Sequence, residues 1–178
     1  LKGHRAGELT VLTGPTGAGK TTLLSQLSLD LAAQGVPTLW GSFEIKPTRL
    51  IARMVSQSIG LRRHPTPSPA TIDAALDRFA PLPLHFLRFF GASHVEDVVE
   101  AMEYAAYAHD VSHVIIDNLQ FMVGGGGSRG GTRSNGRERW ERWDAQEEAL
   151  DRFRRFATER NVHITVVIHP RKEQDGSG

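Results

Sequence analysis

The sequence predicts an α/β fold built on a mainly parallel sheet. Short aliphatic runs alternate with segments of helical spacing along the whole chain. The run Leu9–Thr13 stops at a glycine-rich loop that leads directly into a helical pattern. A third run, "HVIID", is four apolar residues closed by an acid, the composition of a parallel strand covered on both faces.

In chain order, "LTVLT" (Leu9–Thr13) reads as a buried strand. Lys20–Gln34 reads as a helix, with Leu24, Leu27 and Leu31 on one face and Gly35 as its C-cap. "PTLWGSF" (Pro37–Phe43) is the second strand. "PTRLIARMVSQSIG" is a helix with Pro47 at its start and Gly60 at its end. "LRRHPTPSP" connects to a short helix near Thr71–Phe79, and "PLHFLRFF" is a third strand. In "SHVEDVVEAMEYAAYAHD" Ser93 is the expected N-cap, with Glu96 completing a capping box. "SHVIIDN" is the fourth strand. The basic, low-complexity stretch Gly124–Arg137 is expected to be a flexible loop. A long helix, about Glu138 to Arg160, carries Trp143, Leu150, Phe153 and Ala157 on one face. "HITVVIH" is the fifth strand, and residues 173–178 read as a disordered tail.

Composition narrows the function classes. With 178 residues, 39% hydrophobic and 23% charged, the chain suits one soluble globular domain. No apolar run approaches the roughly 20 residues of a membrane span. No internal repeat and no signal-peptide pattern is present, and the start at Leu1 reads as a fragment of a longer chain. The absence of cysteine excludes disulfides and thiolate metal sites. None of the eight histidines falls at a recognised metal-ligand spacing. A net charge of +1 is too small to argue for nucleic acid by itself.

The chemistry lies in Gly14-Pro15-Thr16-Gly17-Ala18-Gly19-Lys20-Thr21, which fits G-x-x-x-x-G-K-[ST], the Walker A phosphate loop, with Thr22 following. Three glycines in six positions are entropically costly, and the pattern needs a reason. They let backbone N–H groups turn inward around phosphate oxygens at a helix N-terminus. Lys20 then meets the β- and γ-phosphates of ATP or another nucleoside triphosphate, and the Thr21 hydroxyl meets Mg²⁺. The plain alternative is an ordinary strand-to-helix turn. Asp117, at the end of "HVIID", resembles a Walker B acid that holds Mg²⁺ at the ligand edge of the sheet. Glu44 ends the second strand at the same edge, either as the base that activates water or as a solvated strand-end acid. His169 ends the fifth strand and also reaches that edge, although a lone histidine there is more often structural.

With those residues placed, the stretches "GHRAGELTVLTGPTGAGKTTLLSQLSLDLAAQGVPTLWGSFEI", "HVIIDNLQFM" and "RFATERNVHITVVIHPRKE" resemble the Twinkle-type mitochondrial replicative DNA helicases. More broadly they resemble the helicase halves of phage primase–helicases and of DnaB. The resemblance covers nearly the whole chain, failing over Arg62–Asp77 and in the glycine-rich insert. It implies a RecA-like P-loop NTPase core that works as an ATP-dependent DNA helicase motor, with ATP and Mg²⁺ as cofactors. It also implies a ring, hexameric or heptameric, and single-stranded DNA as partner. Lys20 and Thr21 then bind phosphate and Mg²⁺, Glu44 is the catalytic carboxylate, Asp117 the Walker B acid, and His169 a γ-phosphate sensor. Arg171 and Lys172 begin a DNA-contacting loop behind it. The location implied is mitochondrial, with plastid, phage and bacterial cytoplasmic members as open alternatives. The family's arginine finger lies downstream of the "HPRK" segment, so the chain reads as a partial motor domain, weakly active by itself.

In RecA-like rings the loops after the Walker B and sensor strands face the central channel. Here these carry Arg129, Arg133 and Arg137 in one and Arg171 and Lys172 in the other. Flexible basic loops can follow a phosphate backbone without reading bases, and a linker that arginines merely solubilise is the alternative. Trp140 and Trp143 sit at helical spacing that favours core packing over base stacking. The rival functions are a RecA-type DNA-binding or regulatory ATPase that does not translocate, and a module that binds nucleotide without turning it over.

Overall fold

The computed structural model describes residues 3–60, 67–124 and 136–170. The elements run β1 (Leu9–Thr13), α1 (Lys20–Ala33), β2 (Thr38–Ser42), α2 (Pro47–Ser58), α3 (Pro69–Phe79), β3 (Leu84–Phe86), α4 (Val95–His109), β4 (His113–Asp117), α5 (Leu119–Val123), α6 (Gly136–Arg160) and β5 (His163–Ile168). Among the described residues the strands form one five-stranded sheet in the order β1-β5-β4-β2-β3, and every pairing is parallel. No described helix is long and apolar enough to cross a membrane.

Both faces of the sheet are covered, which explains why β2 and β4 are buried at every position. Alternate residues divide between two cores. Leu39, Val114, Ile116, Ile164 and Val166 pack against α4, α5 and α6, where Val98, Met102, Met122, Phe153 and Ala157 are buried. Trp40, Ile115 and Val167 point to the other face and meet Leu24 and Leu29 of α1 with Leu50 and Met54 of α2.

The buried face of α1 is Leu24, Ser25, Ser28, Leu29 and Ala32 rather than the expected Leu24, Leu27 and Leu31. Small serines face the sheet because Trp40, fully buried, fills the space opposite. Its indole N–H donates to Ser28 Oγ at 2.8 Å, and Ser28 donates in turn to Leu24 O at 2.8 Å. Across the helices, Gln57 Nε2 donates to Thr22 O at 3.0 Å, fixing α2 against the first turn of α1.

Other expectations are corrected. Ser93 does not cap α4: the N-cap is His94, with no side-chain cap bond, and Ser93 N–H instead donates to Met122 O at 3.0 Å. Glu96 is therefore free of a capping box and pairs with Arg152 of α6 at 3.0 Å. The third strand is three residues long, because the chain turns away after Phe86. A short helix, α5, fills the stretch directly after β4 and is capped by Asn118, whose side chain accepts from Phe121 N–H at 2.9 Å. The long helix begins at Gly136 and so takes in Arg137. Trp140 and Trp143 are not core residues; they are 73% and 51% exposed, and Ala149, Phe153 and Phe156 carry the packing instead. The expected tail, residues 173–178, and most of the expected flexible loop lie outside the described residues.

Gly41 in β2 is required by close approach. A Cβ there would lie 2.9 Å from the Phe43 ring, 3.1 Å from Ile116 Cδ1 and 3.2 Å from Leu87 Cδ1. Gly41→Ala is expected to destabilise the fold by about 1–3 kcal/mol through overpacking, read as a lower Tm in thermal unfolding. An unchanged Tm would mean that these side chains give way without cost.

Candidate functional site

The C-terminal edge of the sheet gathers the side chains singled out in the sequence. Leaving β1, the chain turns through Gly17 at φ 83° and Gly19 at φ 87°, left-handed conformations that L side chains rarely adopt. Gly19 is also the N-cap of α1, so no side chain covers the helix N-terminus, and the first turn holds no acid. The leading N–H groups thus face the loop without a competing carboxylate, which favours an anion there. Lys20 is buried and donates from Nζ to Gly14 O at 2.5 Å and Pro15 O at 2.9 Å, so its ammonium is held inside the loop.

Thr21 follows on α1, and its hydroxyl donates to Asp117 Oδ2 at 2.6 Å. Asp117 ends β4 and is 2% exposed. Burial pushes its carboxyl above the usual range, the nearby Glu44 carboxylate adds to this, and the Thr21 hydrogen bond, His169 and Lys20 pull the other way. A buried carboxylate held beside a hydroxyl is a pair of hard oxygen donors, the kind Mg²⁺ takes. The residues present therefore fit a phosphate-bound Mg²⁺, and the cation would remove the charge that burial makes costly.

A second group stands next to this pair. Glu44 lies two residues beyond β2 and accepts from Asn118 Nδ2 at 2.7 Å. His169, just past β5, brings Nε2 to 3.6 Å from Glu44 Oε2 and Nδ1 to 3.2 Å from Thr16 Oγ1. The carboxylate can only accept, so Nε2 carries the proton and the Thr16 hydroxyl donates to Nδ1, an assignment made from the partners. The result is a continuous path from the phosphate loop through His169 to Glu44 and Asn118. Gln120, on α5, holds the His169 backbone from both sides: its amide N–H donates to His169 O at 3.2 Å, and its Oε1 accepts from His169 N–H at 3.2 Å.

The structure thus brings together Thr16, Lys20, Thr21, Glu44, Asp117 and His169, drawn from four separate elements or loops. Sequence reading missed Asn118 and Gln120. Both lie in "DNLQ", directly after the strand-end acid, and polar residues in that position are the signal that could have found them. Arg129, Arg133, Arg171 and Lys172 lie outside the described residues, while Arg137 falls in α6. A cleft of about 600 Å³ lined by Glu103, Tyr104, Tyr107, Asp110, Arg160 and Asn161 uses none of the residues of this site.

Comparison with known proteins fits this geometry. The AAA domain family matches residues 1–175. The hemin import ATP-binding protein HmuV of Plesiomonas shigelloides is 49% identical over 53 residues, 29% of this chain and 20% of that protein. Among solved structures, an isolated ATPase domain is similar with a TM-score of 0.73 at 14% identity, over 99% of this chain and 63% of that one. A DnaB-like replicative helicase, solved to show its interactions with primase, also gives 0.73, at 13% identity, over 99% of this chain and 43% of its own. The chain thus spans only part of each. These likenesses establish the fold as a RecA-like P-loop core.

Asp117→Asn separates site chemistry from folding. A carboxyl whose folded pKa is raised contributes stability below its unfolded pKa and loses it as pH rises through the folded value. Metal-free Asp117→Asn is therefore expected to have a higher Tm than the parent at pH 8, with the difference gone near pH 4. Its Mg²⁺-dependent affinity for ATP is expected to fall about tenfold or more, about 1.4 kcal/mol. Thermal melts at the two pH values and calorimetric titration check both halves. A variant less stable at pH 8 would mark Asp117 as a structural acid.

Proposed function

The chain belongs to the AAA domain family, and on that premise we propose that it is the ATP-hydrolysing motor of a ring-forming DNA helicase of the DnaB type. The observation that carries the reading is the Glu44 carboxylate, held between Asn118 and His169 beside the Thr21–Asp117 pair. A phosphate cradle alone binds nucleotide. A fixed carboxylate at its mouth gives the site a group that can accept a proton from water.

In this mechanism the loop N–H groups and Lys20 bind and orient the phosphates. Thr21 and Asp117 hold Mg²⁺, which when bound offsets charge on the phosphate oxygens. Glu44 takes the proton of the attacking water, and Asn118 fixes the rotamer in which it does so. His169 faces both Glu44 and the loop residue Thr16, so its position can depend on whether a γ-phosphate is present. Pro170 follows it immediately, and a shift at His169 would carry the segment that begins with Arg171 and Lys172. Such coupling needs DNA affinity to differ between the triphosphate and diphosphate states.

Single-stranded DNA as track, assembly into a ring and duplex unwinding are parts of this proposal. They are supported by the likeness in fold to a DnaB-like replicative helicase and by "GSFEI" and "VVIHPRKE". The narrower Twinkle-type assignment, with its mitochondrial location, rests on the sequence stretches alone.

Two substitutions test the chemistry. Lys20→Ala is expected to abolish ATP binding or turnover, since it removes the cation that meets the phosphates. Glu44→Gln is expected to bind ATP–Mg²⁺ nearly as the parent does while single-turnover hydrolysis slows about a hundredfold or more. Undiminished hydrolysis by Glu44→Gln would refute the assignment of the base. Failure of the parent to unwind a forked duplex in the presence of ATP, with hydrolysis intact in the full-length protein, would instead favour a non-translocating ATPase.

A further inference from the structure

Three histidines far apart in sequence meet at the opposite end of the sheet. His113 opens β4 and His163 opens β5, and the register pairs them directly across the two strands. His4 arrives from the segment before β1, which is tied down where Gly7 N–H donates to Val162 O at 3.2 Å. The His4 ring stacks on that of His163 with centroids 4.2 Å apart and lies 5.4 Å from that of His113. One ring nitrogen from each of the three falls within 4.8 Å of the other two. His113 and His163 are 2% and 4% exposed, while His4 is open to solvent.

The hydrogen bonds show what these rings offer. His163 Nδ1 lies 2.7 Å from Arg5 O, an acceptor, so Nδ1 carries the proton and Nε2 is a bare lone pair. That Nε2 is buried with no partner. His113 repeats the arrangement: Nε2 is 3.0 Å from Thr165 Oγ1, and Nδ1 is buried with no partner. Unpaired buried nitrogens are costly and rare, and here two converge on one spot. A ring with one nitrogen bonded to a carbonyl or hydroxyl and the other left open is the state in which histidine ligates metal.

We propose that His4, His113 and His163 bind a divalent transition-metal ion of the zinc class, which clips the segment before β1 onto the N-terminal ends of β4 and β5. Three imidazoles with a fourth position left to water is a known coordination set for Zn²⁺, and imidazole equally suits Co²⁺ and Ni²⁺. Zinc–nitrogen bonds of about 2.0–2.1 Å place tetrahedral ligands about 3.3 Å apart, so the rings must close in by about an ångström. His4 is the exposed member, and its turning out of the stack on His163 supplies that movement. The same exposure gives the ion its way in. The site shares no residue with the phosphate loop or with the Glu44–His169 group.

The test is metal titration of the chelator-stripped chain, with ZnCl₂ for affinity and CoCl₂ as a spectroscopic probe. One equivalent of Zn²⁺ is expected to bind, with Tm raised by about 5 °C or more when zinc is about a hundredfold above its Kd. Co²⁺ is expected to give the intense visible bands of a four-coordinate site. His4→Ala, a change at an exposed ring that the fold tolerates, is expected to lose the cobalt bands and about tenfold or more of the zinc affinity. Thr165→Val, which keeps the side-chain shape, is expected to weaken binding through His113. His169→Ala should keep the full metal response. Absence of one-equivalent binding, or equal binding by His4→Ala and the parent, would overturn the proposal, as would loss of the metal response in His169→Ala.

Discussion

The 2.6 Å hydrogen bond from Thr21 to Asp117 joins residues 96 apart in sequence, and the site depends on it. It links the first turn of α1 to the end of a fully buried strand, across the edge where β5 lies between β1 and β4. A carboxylate taken out of water costs free energy unless something answers its charge. Here a hydroxyl, an ammonium and an imidazole approach it, and its carboxyl is still pushed up. The fold therefore holds a group that is satisfied only partly by its own chain, which is the state of a ligand that awaits a cation.

The remaining geometry follows from parallel strands ending together. Phe43 N–H donates to Asp117 O at 2.8 Å, which sets the chain leaving β2 beside the end of β4 and brings Glu44 to Asn118. On the other side of β4, β5 ends where Gln120 grips the His169 backbone. Rigid strands thus carry the base, the acid and the histidine, and the short helix α5 locks two of them. The phosphate loop reaches His169 through the Thr16 side chain. The histidine cluster at the far end arises from the same register, because strands that end together also begin together.

How much of this was legible depended on how local each signal is. Gly14–Thr21, Asp117, Glu44 and His169 could be read because each ends an aliphatic strand, and strand ends share an edge in a parallel sheet. The glycine pattern carried its own mechanism, and Gly17 and Gly19 take the left-handed conformations it needs. Side-chain partnerships were less legible. Asn118 has one role toward Glu44 and another as the cap of α5, and no spacing rule states either. His4, His113 and His163 are separated by most of the chain, so a search for metal motifs by spacing passes over them. The tryptophans misled because helical periodicity identifies a face without saying whether that face is covered. The face of α1 was misjudged because serine can be a core residue when a tryptophan indole supplies its partner.

The account stands or falls on whether the Glu44–His169 group meets a third phosphate. Affinities of the parent and of His169→Ala for ATP and for ADP, each with Mg²⁺, measure this directly by calorimetric titration. The account predicts that the parent distinguishes the two nucleotides and that His169→Ala loses about tenfold of that distinction, about 1.4 kcal/mol, while its ADP affinity is unchanged. An ATP-to-ADP ratio that is the same in both proteins would contradict it and leave His169 as an ordinary residue at the end of a strand.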